Sequence, residues 1–171
     1  MKGKLQEYAL VAEIIGWIAI VISLVFVGVQ VSQTAEETAT NTTAIRASAY
    51  QELTTQILNI NNLRAENPDI AELVFKDFCN EILNPIERER LSAIFINIIR
   101  HGDMAYYLYQ QNLINEERLD NALAILRYYL SNSNVAKNEW EGFGNTLSSD
   151  FRTYIQSKVS VSIPKLPCEN I

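Results

Sequence analysis

From Ile14 to Val31, in the stretch "AEIIGWIAIVISLVFVGVQVS", no residue carries a charge. As an α-helix this run rises roughly 27 Å, about the hydrocarbon thickness of a bilayer. Tyr8 and Trp17 fall near one end, where amphipathic rings gather at a membrane–water interface. Three fates compete for such a run. A cleaved signal peptide would fit Lys2 and Lys4, but Glu7 and Glu13 interrupt its basic start, the apolar run is long, and no A-x-A-like site follows. A buried core helix would have to be covered on every side, which a chain of 171 residues can rarely do. The expectation is a single membrane-spanning helix, with the lipid bilayer as its first partner.

Within the run, Ala12, Gly16, Ala19 and Ser23 recur at helical spacing. Small residues on one face let helix backbones approach closely in lipid. The stripe therefore marks a candidate helix–helix contact, with a copy of the same chain or with another membrane protein. The competing explanation is that Gly, Ala and Ser are common in membrane helices. Lys2 and Lys4 precede the span, and Glu36 and Glu37 follow it before the first later cation, Arg46. The positive-inside rule then tilts the rest of the chain towards the outer, periplasmic side, on the strength of two lysines.

The charges before the end of the span, Lys2, Lys4, Glu7 and Glu13, cancel, so the formal net charge of −6 falls on the remainder. An acidic region without a basic run is poorly matched to nucleic acid or to an anionic membrane surface. Its apolar residues recur with helical period throughout. Ile45, Ala49, Leu53, Ile57, Ile60 and Leu63 outline an amphipathic helix that no Gly or Pro separates from the span; Thr-rich 38–43 is its weakest stretch. Asn67-Pro68 opens a second helix with Ile70, Leu73, Val74 and Phe78 inward, and Asn84-Pro85, with Glu87 completing a capping box, opens a third. Asn115 caps a fourth, buried through Leu119, Leu123, Leu126 and Leu130. "SNSNV" reads as a break, "AKNEWEGFG" as a short helix or turn, and "SSDFRTYIQSKV" as a last helix capped by Ser148 or Ser149. Gly102, inside the third helix, predicts a close helix contact or a slight bend. No segment alternates with period two. The expected fold class is all-α: an anchor over 1–33, a bundle of about four to five helices over 34–160, and an extended tail over 161–171.

Residues fit for chemistry are sparse. His101 is the only histidine. It lies near Arg100 and Asp103, but position 98 is Ile, so the E-x-x-H pair of helical di-iron bundles is missing. There is no G-x-S-x-G, P-loop, G-x-G-x-x-G or H-E-x-x-H pattern. Neither a catalytic residue nor a cofactor or metal site is expected, and His101 reads as a core-edge histidine. Cys79 reads as a small core residue; a disulfide with Cys168 is the alternative in an oxidising compartment, and spacing leaves it open. Tyrosines are locally dense. Tyr106-Tyr107 and Tyr128-Tyr129 are adjacent pairs, so one member of each must leave the inward face. Bundle packing with hydroxyls at the rim explains them. The alternative is a ligand cleft or partner surface built by Tyr106, Tyr109 and Tyr128.

The segments "EIIGWIAIVISLVFVGVQV", "NTTAIRASAYQEL", "ENPDIAELVFKDF" and "WEGFGNTLSSDFRTYI" together resemble the pattern of an uncharacterised bacterial family of small helical proteins with one N-terminal membrane helix. The resemblance implies a single-pass protein of the bacterial inner membrane, and it brings no activity or catalytic residue with it. This chain departs from the pattern after Gln30, where Val31, Ser32 and Gln33 stand in place of a basic residue. The expected function is that of a non-enzymatic, membrane-anchored interaction or scaffold subunit that oligomerises or joins a larger membrane complex. The alternative is a tethered ligand-sensing domain.

Overall fold

The computed structural model describes residues 2–159 together with Cys168. Among the described residues the chain is all-α, with six α-helices and one 3-10 turn. The chain divides into two units, Met1–Ile45 and Arg46–Ile171. Helix α1 covers Lys2–Glu66 without a break. The tail expected over 161–171 lies outside the described residues, Cys168 excepted.

In the first unit the apolar run is helical, and every side chain from Leu10 to Ser32 is exposed. This helix is long and apolar enough to cross a membrane. The threonines expected to weaken α1 are accommodated by local bonds. Thr38, Thr42 and Thr43 donate their hydroxyls to the carbonyls of Thr34, Thr38 and Ala39, at 2.7, 2.8 and 3.0 Å. A threonine hydroxyl bonded one turn back is satisfied inside a helix, although it shares the i−4 carbonyl with the helix ladder and so weakens it slightly.

The second unit is built around α3. Helix α2 (Pro68–Phe78), α3 (Pro85–Gln110), α4 (Glu116–Asn132), α5 (Asn134–Gly142) and α6 (Ser149–Val159) follow the C-terminal part of α1, with the 3-10 turn Phe143–Thr146 before α6. Helix α3 packs against α2, α4 and α5, and α4 packs against α5 and α6. The inward stripes read from the sequence in α2 and α4 are buried, Leu91, Phe95, Ile98, Ile99 and Ala105 are the buried face of α3, and Phe151 and Ile155 of α6 complete the core. From α1 the core takes Leu53, 2% exposed, with Ile60 packed against it. Leu63 stays 42% exposed, so the buried face of α1 is narrower than its apolar stripe.

Gly102 sits at the closest approach. A Cβ there would lie 2.9 Å from Leu126 Cδ2, 3.1 Å from Leu123 Cδ2 and 3.2 Å from Phe151 Cζ. The helix ends follow the caps written in the sequence. Asn84 Oδ1 accepts from Glu87 N–H at 3.0 Å, and Glu87 Oε2 accepts from Asn84 N–H at 2.8 Å. Asn67 differs: it occupies the cap position of α2, but its side chain donates back to Leu63 O at 2.8 Å. Asn80 and Asn112 take positive φ, both 57°, directly after α2 and α3. Asparagine tolerates this left-handed conformation, where glycine is the usual helix stop.

One buried polar network joins α2 to the α4–α5 break. Ser133, fully buried, donates its hydroxyl to Asp77, which is 3% exposed. The same Ser133 oxygen accepts from Ala136 N–H at 2.8 Å and so caps α5, while Asp77 Oδ1 accepts from Val135 N–H at 3.3 Å. The sequence break at "SNSNV" is thus a single residue that ends α4 and starts α5. Cys79, read from the sequence as a core residue, is instead half-buried and bonded to Cys168.

Candidate ligand cleft on helix α3

Within the second unit, helix α3 forms one wall of a cleft of about 720 Å³. Residues 56–60 of α1 and the 146–148 turn ahead of α6 provide the rest. At i, i+3 spacing Arg100 and Asp103 stand on one face of α3, with Met104 and Tyr107 beside them.

Arg100, an exposed residue, places its guanidinium over the Phe143 ring, 4.7 Å from the centroid. Stacking of this kind occupies the face of the guanidinium and leaves its five in-plane donors for a planar acceptor. Arg100 and Asp103 form no ion pair with each other or with any other described residue. Burial pushes the Asp103 carboxyl above the usual carboxylate range, and the charge of Arg100 pulls it back down. His101, 3% exposed, borders the cleft from below, and its Nδ1 is buried without a hydrogen-bond partner. Burial alone lowers its pKa, favouring the neutral imidazole. The apolar components are Ile60, Leu147, Met104 and Tyr107, of which Met104 is 44% and Tyr107 55% exposed. Gln56 and Asn59 of α1 and Asn97 of α3 supply amide donors and acceptors. The cleft therefore combines one free cation, one carboxyl, a set of amides and an apolar wall.

The three tyrosines singled out in the sequence do not share this cleft. Tyr106 lines it, while its ring packs on Tyr154 at 5.2 Å and Phe151 at 5.6 Å. Tyr109, 6.4 Å from Tyr106 between ring centroids, borders a separate hollow of about 440 Å³ with Arg46 and Arg118. Tyr128 packs edge-on against Phe78 at 5.5 Å. Of the adjacent pairs, Tyr129 turns into the core and Tyr107 turns out. Tyr129 packs on Phe95 at 5.0 Å, and its hydroxyl accepts from Arg64 Nη1 at 2.5 Å. Ala12, Gly16, Ala19 and Ser23 lie in the exposed part of α1, and a Cβ added at Gly16 would meet nothing within 4 Å.

Among the described residues no group of three or more His, Cys, Asp or Glu side chains is placed to hold a metal ion. The sequence sets Arg100 and Asp103 beside His101 without assigning them a site, and it missed Gln56, Asn59 and the 146–148 turn, which approach α3 only through the tertiary fold. No protein-family model matches the chain, and neither a curated protein nor a solved structure matches it.

Proposed function

We propose that this chain is a single-pass protein of a bacterial inner membrane whose helical bundle acts as a non-enzymatic interaction or scaffold subunit. The observation that carries this reading is the exposed apolar run of α1. Between Leu10 and Val31 a dense series of large apolar side chains is in contact with solvent unless lipid or protein covers it. Exposed apolar surface on that scale marks a membrane or a partner, and the run has the length of a bilayer. The stripe Ala12, Gly16, Ala19 and Ser23 gives that helix a face suited to a second transmembrane helix.

The bundle is assigned to the oxidising, periplasmic side. The Cys79–Cys168 disulfide is a bond that cytosolic reductants keep open, and Lys2 and Lys4 before the span favour the same orientation. Gentle detergent extraction followed by native mass spectrometry tests the association. A homo-oligomer, or a stoichiometric membrane partner, is expected. A clean monomer from native membranes would overturn the subunit assignment.

The second reading, a tethered ligand-sensing domain, has one specific observation in its favour. This is the α3 cleft, with Tyr106 and Tyr107 in its lining.

A further inference from the structure

We propose that the α3 cleft binds a zwitterionic α-amino acid with an apolar side chain, the carboxylate held by Arg100 and the ammonium by Asp103. The proposal rests on the second reading above, that the cleft is a ligand site.

The guanidinium of Arg100 lies over the Phe143 ring and makes no ion pair among the described residues, and a carboxylate is the planar anion that a guanidinium fork binds in bidentate fashion. Three residues further along the same helix face, the Asp103 carboxyl faces the same space without a cationic partner in ion-pair range. Its half-buried position disfavours a lone negative charge, and an incoming ammonium would relieve that cost. A ligand carrying both charges a short distance apart answers both groups at once, whereas a simple anion or a simple amine answers only one. Met104 and Tyr107 project beside this pair with about half of their surfaces exposed, and an apolar side chain on the ligand would cover them. Gln56 and Asn59 reach the cleft from α1, so a bound ligand would hold α1 against α3.

Isothermal titration of the detergent-solubilised full chain tests this with three probes: L-leucine, its deaminated analogue 4-methylpentanoate, and its decarboxylated analogue 3-methylbutylamine. Leucine is expected to bind at least tenfold more tightly than either analogue. Arg100→Gln should weaken leucine roughly tenfold or more, the size of one lost charge-assisted hydrogen bond. Asp103→Asn should weaken leucine by a similar factor while leaving 4-methylpentanoate no weaker. Both variants are checked for an unchanged thermal midpoint, so that a lost site is not mistaken for a lost fold. If 4-methylpentanoate or the amine binds as tightly as leucine, the zwitterion assignment fails and the cleft remains a ligand site. If leucine binding is indifferent to both substitutions, the proposal is overturned. If none of the three probes binds up to ~10 mM, a concentration corresponding to less than about 3 kcal/mol, the amino-acid assignment fails, and the ligand-site reading loses its support with it.

Discussion

Ser133→Ala should destabilise the bundle more than its small change in volume suggests. The serine oxygen has two roles: it caps α5 through Ala136 N–H at 2.8 Å, and its hydroxyl donates to the buried Asp77 carboxylate. Losing a serine N-cap costs about 1 kcal/mol. Depriving a buried carboxylate of a hydroxyl donor costs about 1.5–3 kcal/mol. Asp77 would retain only the longer bond from Val135 N–H, 3.3 Å, so the site has little means of recovering the loss. The expected total is about 3 kcal/mol, or roughly a 10 °C fall in Tm for a domain of this size. Ser133→Gly separates the two parts, because glycine is a tolerable N-cap; it should retain about 2 kcal/mol of the loss. Trp17 and Trp140 are the only tryptophans, and Trp140 packs edge-on against Phe151 at 5.8 Å. Urea unfolding in a Trp17→Phe background, followed by Trp140 fluorescence, therefore reports on the bundle alone. A loss below about 1 kcal/mol for Ser133→Ala would refute the claim that Asp77 depends on this hydroxyl.

Three further outcomes follow from the same geometry. Burial lowers the His101 pKa, so in acid the unfolded chain binds a proton that the folded chain resists; the His101 contribution to stability is complete above about pH 6.5 and declines as the pH falls from there towards the lowered folded value. A pH series of urea midpoints should show that slope in the native chain and a flatter one in His101→Gln; identical slopes would remove His101 as its source. Gly102→Val should cost about 2 kcal/mol or more, because its Cβ alone would sit 2.9 Å from Leu126 and its methyls have no free volume beside Leu123 and Phe151; an unchanged Tm would show that these side chains move aside. Opening the Cys79–Cys168 bridge, across a sequence separation of 89, should cost up to about 4–5 kcal/mol by loop entropy, read as the difference in urea midpoint between the native chain and Cys79→Ser/Cys168→Ser.

The parts of the fold visible in the sequence are those set by local chemistry. The Asn-Pro starts of α2 and α3, the Asn84–Glu87 box and the leucine stripe of α4 each lie within a few residues, and each appears where its spacing places it. The Asp77 site was legible in part. Asp77 continues the inward spacing of Ile70, Leu73 and Val74, and an acid on a core face calls for a partner, but the partner lies 56 residues away. Cys79 misled for the same reason: its apolar neighbours suggested packing, while its bond is to a distant residue. The α3 cleft was not legible in the sequence: the Arg100–His101–Asp103 cluster reads there as a core-edge histidine with charged neighbours, because the 56–60 and 146–148 walls come from distant parts of the chain. The tyrosine grouping was not a guide to it, because sequence proximity does not tell which ring turns inward. Tyr106, Tyr109 and Tyr128 go to three different surroundings, set by the packing of α3 against its neighbours.

The orientation of the bundle is tested most directly by labelling Cys79 and Cys168 in intact spheroplasts with a membrane-impermeant polyethylene-glycol maleimide, before and after an impermeant reductant. Cys168 is exposed, so it reports without unfolding. A chain with its bundle on the oxidising face takes up no label before reduction and gains a gel shift after it, with the membrane intact. Labelling without reductant, or only after the membrane is permeabilised, would contradict the account.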